Sequence, residues 1–519
     1  MARRIIDVSR RGFLLGTASL AAAAMWSDRA FGITLKNVNL ADNPFQLGVA
    51  SGDPDSKSVV IWTRLAPKPL EGGGMPKEAV EVSWQVADDE GMTKIVREGT
   101  TTATPEWGHS VHVEVDGLAP DRWYFYRFKA AGELSPVGRT RTMPTIETVA
   151  SKMRFAFASC QHWESGLYTA YEHMAQDGLD LVVHLGDYIY EGKGRPDGLR
   201  THVGPEINTL DDYRNRHAQY KTDTFLQAMH QQVPWIVTWD DHEFDNNCAA
   251  DISEEANVKK EDFLARRASA YQAYYEHMPL RKACLPKGPD MLLYRRLHYG
   301  NLATFDVLDT RQYRSDQPCG DGNKPQCPEA LDPKQTLLGE KQEKWLLDGL
   351  ATTKSKWNIL AQQVMMARSD RKAGPEQTFS MDQWPGYEIN RRRLLKAFDD
   401  LKVPGPVVLT GDIHTNWANN LIADFDNLDS KVVASEFVGT SISSGGNGAE
   451  ATPSVLAAIA ENPFVKFHNA ERGYVRCEVT PEKWTTDFCT VPYVDRPGAP
   501  LVKRASFVVE QTKPGIESA

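Results

Sequence analysis

Residues Trp235 to Asn247 read WIVTWDDHEFDNN. The stretch opens as an apolar, β-branched run of the kind that fills the middle of a sheet. It then carries Asp240, Asp241, His242, Glu243 and Asp245 in quick succession. A charge taken out of water costs several kcal/mol unless it is paired or bound to a metal. The strand therefore ends either in a wet loop or at a site for cations.

Three other strand-like runs end in the same chemistry. MRFAFASC stops at Cys160, LDLVVHLGDYIYE carries Asp187 and Tyr190, and PGPVVLTGDIHTNW carries Asp412 and His414. Continuous apolar runs mark strands buried on both faces. Ligands of open α/β sheets collect beyond the carboxyl ends of such strands. Four strands side by side would bring Cys160, Asp187, Asp241, His242, Asp412 and His414 to one place. Each piece alone has a bland reading: a Gly-Asp dipeptide is commonly a turn, and a strand cysteine is commonly inert core. The joint pattern carries the weight. Hard cations bridged by a carboxylate, typically about 3.5–4 Å apart, clamp a phosphoryl group and acidify a bound water. Asp187 is the natural bridge and His242 a non-ligand acid or base. A phenolate and a thiolate, Tyr190 and Cys160, suit an oxidised iron, whereas Asp241 and Asp412 suit a hard, oxygen-preferring ion.

Composition is that of an ordinary globular chain of 519 residues, 41% hydrophobic and 25% charged, long enough for two or three domains. Net charge is 59 − 69 = −10, which argues against a binder of nucleic-acid backbones. Residues 45–145 read as all-β: VVIWTRL, VEVSWQVAD, HVEVDGL and WYFYRFKAAG show no helical period. Leu118, Pro120 and Tyr124 stand as in the tyrosine corner of immunoglobulin-like sandwiches. From about residue 153 short apolar strands alternate with helical stretches, the α/β pattern. Strand-like GYVRCEVTPEKWTTDFCTV is placed to complete a sheet of that second domain. The expected organisation is a signal peptide over 1–32, a β-sandwich over 40–145 and an α/β domain over 152–519.

The N-terminus reads as an address. SRRGFLLG (Ser9–Gly16) precedes and overlaps a short apolar run ending at Trp26, and it resembles a bacterial twin-arginine signal. The partner it implies is the twin-arginine export machinery, the destination periplasmic or extracellular, with cleavage between Ala24 and Gly32. No later stretch is long and apolar enough to span a bilayer. Seven cysteines remain in a chain with that destination. Cys319 with Cys327 is the preferred bridge across a polar Gly/Pro/Asn loop; Cys477 with Cys489, and Cys248 with Cys284, are further pairings.

HLGDYIYE, WDDHEFDNN, LDTRQYRSDQ and LTGDIHTNW together resemble the motifs of the PhoD-like alkaline phosphatase/phosphodiesterase family of the metallophosphatase superfamily, over roughly residues 45–480. The chain departs from the superfamily pattern at SCQHW, where Cys160 takes a ligand position, and at DDHE, where Asp241 stands for the usual Asn. The resemblance implies a fibronectin- or immunoglobulin-like sandwich ahead of a layered αββα metallophosphatase domain. It implies iron(III) held by Cys160, Asp187, Tyr190 and His414 beside calcium on the carboxylates, with His242 catalytic. It also implies hydrolysis of phosphate mono- and diesters by in-line attack of metal-bound hydroxide. A phospholipase D-like phosphodiesterase on the same scaffold is the alternative, and a non-catalytic cell-envelope binding protein the alternative of another class. Candidate substrate contacts are Arg311, Asp382, Trp384, Tyr387 and Asn247, with a structural ion pair the competing reading of Arg311. Arg391 to Arg393 reads as a solvated helix face.

Overall fold

The computed structural model describes residues 38–40 and 42–519. The signal-peptide reading of 1–32 lies outside the described residues. Two large sheets stack face to face. The first has ten strands, with Met153–Ala158, Leu181–His184 and Trp235–Val237 parallel at its centre. The second has seven, with Ala303–Val307, Trp357–Ala361, Pro406–Thr410 and Val432–Val438 parallel at its centre. Phe155, Phe157, Val183, Phe305, Ile359, Leu409 and Phe437 interdigitate between the sheets. Helices cover both outer faces. Tyr213, Met229 and Tyr271 pack on the first sheet, and Leu346, Leu394 and Phe398 on the second. The αββα layering expected from the motifs is present, and Arg472–Val479 does complete the first sheet, antiparallel to Met153–Ala158.

Helix starts follow local chemistry. Thr209 and Asp212 form a reciprocal capping box on the Leu210–Lys221 helix. Asp223 accepts the backbone N–H groups of Phe225 and Leu226 at the start of Thr224–Gln232.

The N-terminal sandwich is also present, with a core of Val59, Ile61, Val82, Tyr126 and Phe128. Its tyrosine corner forms, the Tyr124 hydroxyl accepting from Ala119 N at 2.9 Å. One sandwich sheet is not separate, however. Val49–Gly52 runs parallel to Trp235–Val237, with Gly52 opposite Trp235, so the ten-stranded sheet passes from one domain into the next. A Cβ at Gly52 would lie 2.5 Å from Pro279 O and 2.8 Å from Trp235 O, so only glycine lets the backbones meet. No helix among the described residues is long and apolar enough to cross a membrane.

Two expectations are corrected by packing. Cys319 and Cys327 are bridged, but Cys248, Cys284, Cys477 and Cys489 are buried free thiols, as is Cys160. Cys477 faces Thr486 and Cys489 faces Tyr474 across the ladder, so the two cysteines are out of register. Thiol titration of the denatured, unreduced protein is expected to count five reactive cysteines; a count of one or three would mean further bridges. Arg391 is not solvated: it is wholly buried and bound to both carboxylate oxygens of Glu388, while Arg392 and Arg393 reach Asp426 and Glu343.

Candidate metal centre

Both sheets end their parallel strands at the same edge, and the candidate residues gather there. Cys160, Asp187, Asp241 and His242 follow adjacent strands of the ten-stranded sheet, as expected. Asp412 and His414 follow Pro406–Thr410, which belongs to the opposing sheet rather than lying beside the other three. The glycines of the two Gly-Asp dipeptides make this convergence possible. A Cβ at Gly186 would fall 2.4 Å from Asp240 N, and one at Gly411 would fall 2.7 Å from Ser159 Oγ. Cys160, Asp187, Asp412 and His414 all adopt the left-handed region, with φ of 60°, 55°, 66° and 56°. Such conformations cost about 1–3 kcal/mol each and concentrate at functional sites.

The ligand-type atoms of Cys160, Asp187 and His414 lie within 4.8 Å of one another, and so do those of Asp187, Asp241 and His242. Asp187 is thus common to both groups. The Tyr190 hydroxyl donates to Asp187 Oδ2 at 2.7 Å and lies 3.3 Å from His414 Nε2 and 2.7 Å from Ser444 Oγ. The rings of Tyr190 and His242 are 4.2 Å apart. About a fifth of the His242 and Asp412 side chains is exposed (22% and 20%), so the group opens to solvent on that side.

Electrostatics marks the cluster as short of positive charge. Burial first, then Asp241 and Glu243, push the Asp187 carboxyl well above the usual range despite nearby His242. Burial and then Asp187 push the Cys160 thiol up. Asp412 rises to about 6 through burial, in spite of Arg311. Burial opposes a charged His242, but Glu191, Asp187 and Asp241 outweigh it and lift that imidazole well above its ordinary value. Burial, then Arg472, lowers His414 to about 3, leaving a neutral imidazole suited to a metal. Buried Asp187 Oδ1 and Asp240 Oδ2 have no hydrogen-bond partner. Orphaned carboxylate oxygens beside a thiol, a phenol and a neutral imidazole are the donor set of a metal centre, so the residues fit the ions that the motifs imply.

The family model for PhoD-like phosphatases matches residues 155–488, and that for their N-terminal domain matches 32–144. The chain belongs to the PhoD-like phosphatase family. Alkaline phosphatase D of Bacillus subtilis (strain 168) is 52% identical over 516 residues, 98% of this chain and 88% of that protein. The solved structure of PhoD, 54% identical, superimposes with a TM-score of 0.91 and covers 93% of both chains.

The candidate substrate contacts fare unevenly. Arg311 is wholly buried among carboxylates. It donates through Nε to Asp240, through Nη1 to both oxygens of Asp382 at 3.1 Å, and through Nη2 to Asp412 Oδ1 at 3.3 Å. Asp382 is held by Arg311, Arg314 and Gln317 together. Trp384 and Tyr387 do not line the open side. Trp384 is core and donates to Gln362 Oε1, and Tyr387 donates to Ser315 O. The Asn247 side chain turns to Glu254 and Asp321, while its backbone N–H donates to Asp241 Oδ2 at 2.6 Å.

Three residues given no role in the sequence reading hold the centre. Glu191 Oε2 lies 2.7 Å from His242 Nδ1, and its other oxygen accepts from Asn246 N. Glu243 Oε2 accepts from the backbone of both Asp187 and Asp240, at 3.0 and 2.8 Å, stapling two strand ends together. Ser444 reaches Tyr190 and Cys160 O from 254 and 284 residues away. Glu191 adjoins Tyr190 and Glu243 adjoins His242, so adjacency was a usable signal for both; Ser444 carried none. A crevice of about 490 Å³ at the sandwich junction, beside Asp55, Ile146 and Arg281, contains none of these residues.

Proposed function

We propose that this chain is an exported, metal-dependent phosphoesterase that hydrolyses phosphate mono- and diesters. The observation that carries the reading is the meeting of Cys160, Asp187, Tyr190 and His414 with Asp241, Asp412 and His242 at one edge shared by two sheets. Family membership supports the reaction class, and the twin-arginine-like SRRGFLLG supports export to the periplasm or beyond. Cys160, Asp187, Tyr190 and His414 would hold iron(III), and Asp187, Asp241 and Asp412 would hold calcium. When bound, such ions acidify water and neutralise phosphoryl oxygens.

The protein's own part is positional. Glu191 fixes the His242 tautomer and orientation, leaving Nε2 for the substrate side. His242 in its protonated form donates to the leaving oxygen or to a phosphoryl oxygen. Glu243 and the two Gly-Asp turns keep the Asp187 and Asp412 carboxylates where burial without cations would disfavour them.

The test is metal analysis of the exported protein together with turnover of a chromogenic monoester and a bis-ester. Metal-dependent release from both supports the reading. Absence of turnover by a fully loaded protein would overturn it, and turnover of the bis-ester alone would select the phosphodiesterase alternative. Tyr190→Phe is expected to abolish phenolate-to-iron absorption; an unchanged visible band would remove Tyr190 or iron(III) from the assignment.

A further inference from the structure

Behind the metal centre lies a second cluster of ionisable side chains, all basic and all buried. Lys221, the last residue of the Leu210–Lys221 helix, is 2% exposed. Its Nζ lies 4.5 Å from the Trp62 ring and 5.3 Å from the Tyr188 ring, and among the described residues it has no ion pair or hydrogen bond. The Tyr188 ring is in turn 5.2 Å from His184, 6.3 Å from His217 and 5.9 Å from His230. Each imidazole has an unanswered nitrogen. His217 lacks a partner at both Nδ1 and Nε2, His184 at Nε2 and His230 at Nδ1.

The surrounding elements supply no counter-charge. From the sandwich, Arg64 is spent on His277 Nε2 and Gly108 O. From the Lys260–His277 helix, Glu276 is paired with Arg214, and His277 donates or accepts at both nitrogens. On the Leu210–Lys221 helix, Arg216 binds the carbonyls of Tyr190 and Gly192. The nearby acid at the next helix start, Asp223, holds Arg200 and two backbone N–H groups. Glu243 is committed to backbone N–H groups of the metal loops.

Gly186 N donates weakly to His184 Nδ1, which makes His184 Nε2 a donor. If the Tyr188 hydroxyl donates to His230 Nε2, 2.9 Å away, His230 Nδ1 is a donor too. A neutral His217 adds one donor and one acceptor, and an ammonium adds three donors. Donors outnumber acceptors among these four side chains, and a buried ammonium without a counter-ion costs several kcal/mol.

We propose that this cluster is a binding site for a small monovalent anion of the halide class, held by Lys221 and by N–H groups of His184, His217 and His230. A single uncommitted ammonium matches a single negative charge, which disfavours phosphate or sulfate. Walls of Trp62 and Tyr188 suit a weakly hydrated ion. Burial alone lowers Lys221 to about 7, and the Lys221 charge adds to burial in lowering His184, His217 and His230, so all three lie within its field. A bound anion reverses that shift. Affinity therefore falls as pH rises and the ammonium is lost.

The test uses the metal-loaded protein and is independent of turnover. Crystals grown with bromide near pH 7 are expected to show an anomalous peak within hydrogen-bond distance of Lys221 Nζ. In solution, chloride or bromide is expected to raise Tm saturably by about 1–3 °C over the same ionic strength of gluconate, and Lys221→Met is expected to abolish the difference. Water density alone at Lys221, or a halide response equal in wild type and Lys221→Met, overturns the proposal.

Discussion

Asp187→Asn is expected to yield a folded protein that has lost its metal and essentially all turnover. The substitution keeps the side chain's shape and the acceptor for the Tyr190 hydroxyl, but it removes the charge shared by both ligand groups. The Asp187 carboxylate is wholly enclosed and one of its oxygens has no partner, so in the metal-free protein it destabilises the fold. Removing a buried, uncompensated charge relieves that cost. The metal-free variant should therefore melt at or above the temperature of metal-free wild type. Chelation should lower the Tm of wild type and leave Asp187→Asn unmoved. Turnover should fall by more than the roughly 10–100-fold associated with outer-shell partners of a metal. Wild-type metal content together with wild-type rate in the variant would remove Asp187 from the centre.

His242→Ala is expected to separate chemistry from metal binding. Its Nδ1 is engaged by Glu191 and its ring lies against Tyr190, on the solvent side of the cluster. Loss of a positioned proton donor costs about 10²–10⁴-fold in rate, with metal content unchanged; a near-normal kcat would end its catalytic assignment. Glu191→Gln supplies the check that distinguishes this from a structural role. Glu191 raises the proton affinity of His242, so neutralising it should move the limb of the pH–rate profile that reports His242 toward lower pH. The same pair has a stability signature in the metal-free protein. Its contribution is complete below the ordinary imidazole pKa and is lost as pH rises through the elevated pKa of His242. Glu191→Gln should therefore cost most stability on the acidic side of that transition.

The motif residues were legible because their signal is local. Apolar runs of strand length followed by Gly-Asp, or by Asp-Asp-His, announce buried strands with polar ends, and the tyrosine corner is written within seven residues. Arg311 was ambiguous in the sequence because an arginine after a strand serves a phosphate or a carboxylate equally well. The structure surrounds it with Asp240, Asp382 and Asp412. Trp384 sits near motif residues in the chain yet faces the helix layer, since the short helical turn Trp384–Tyr387 points its large apolar side chain into the core. The Cys477–Cys489 pairing failed for a comparable reason: proximity of two strands does not set their register, and register placed the two cysteines opposite other residues.

The sequence by itself determined the donor types, the strand ends that carry them, the β-then-α/β order and the preferred disulfide. Each of these depends on backbone periodicity and on chemistry within a dozen residues. Only the tertiary structure decided that Asp412 and His414 arrive from an opposing sheet, that Glu191 meets His242, that Ser444 meets Tyr190, and that four basic side chains are enclosed around Tyr188. The contacts of Glu191, His414 and Ser444 join residues about 50 to 250 positions apart, and which of them form is set by how two sheets stack and what their common edge can enclose.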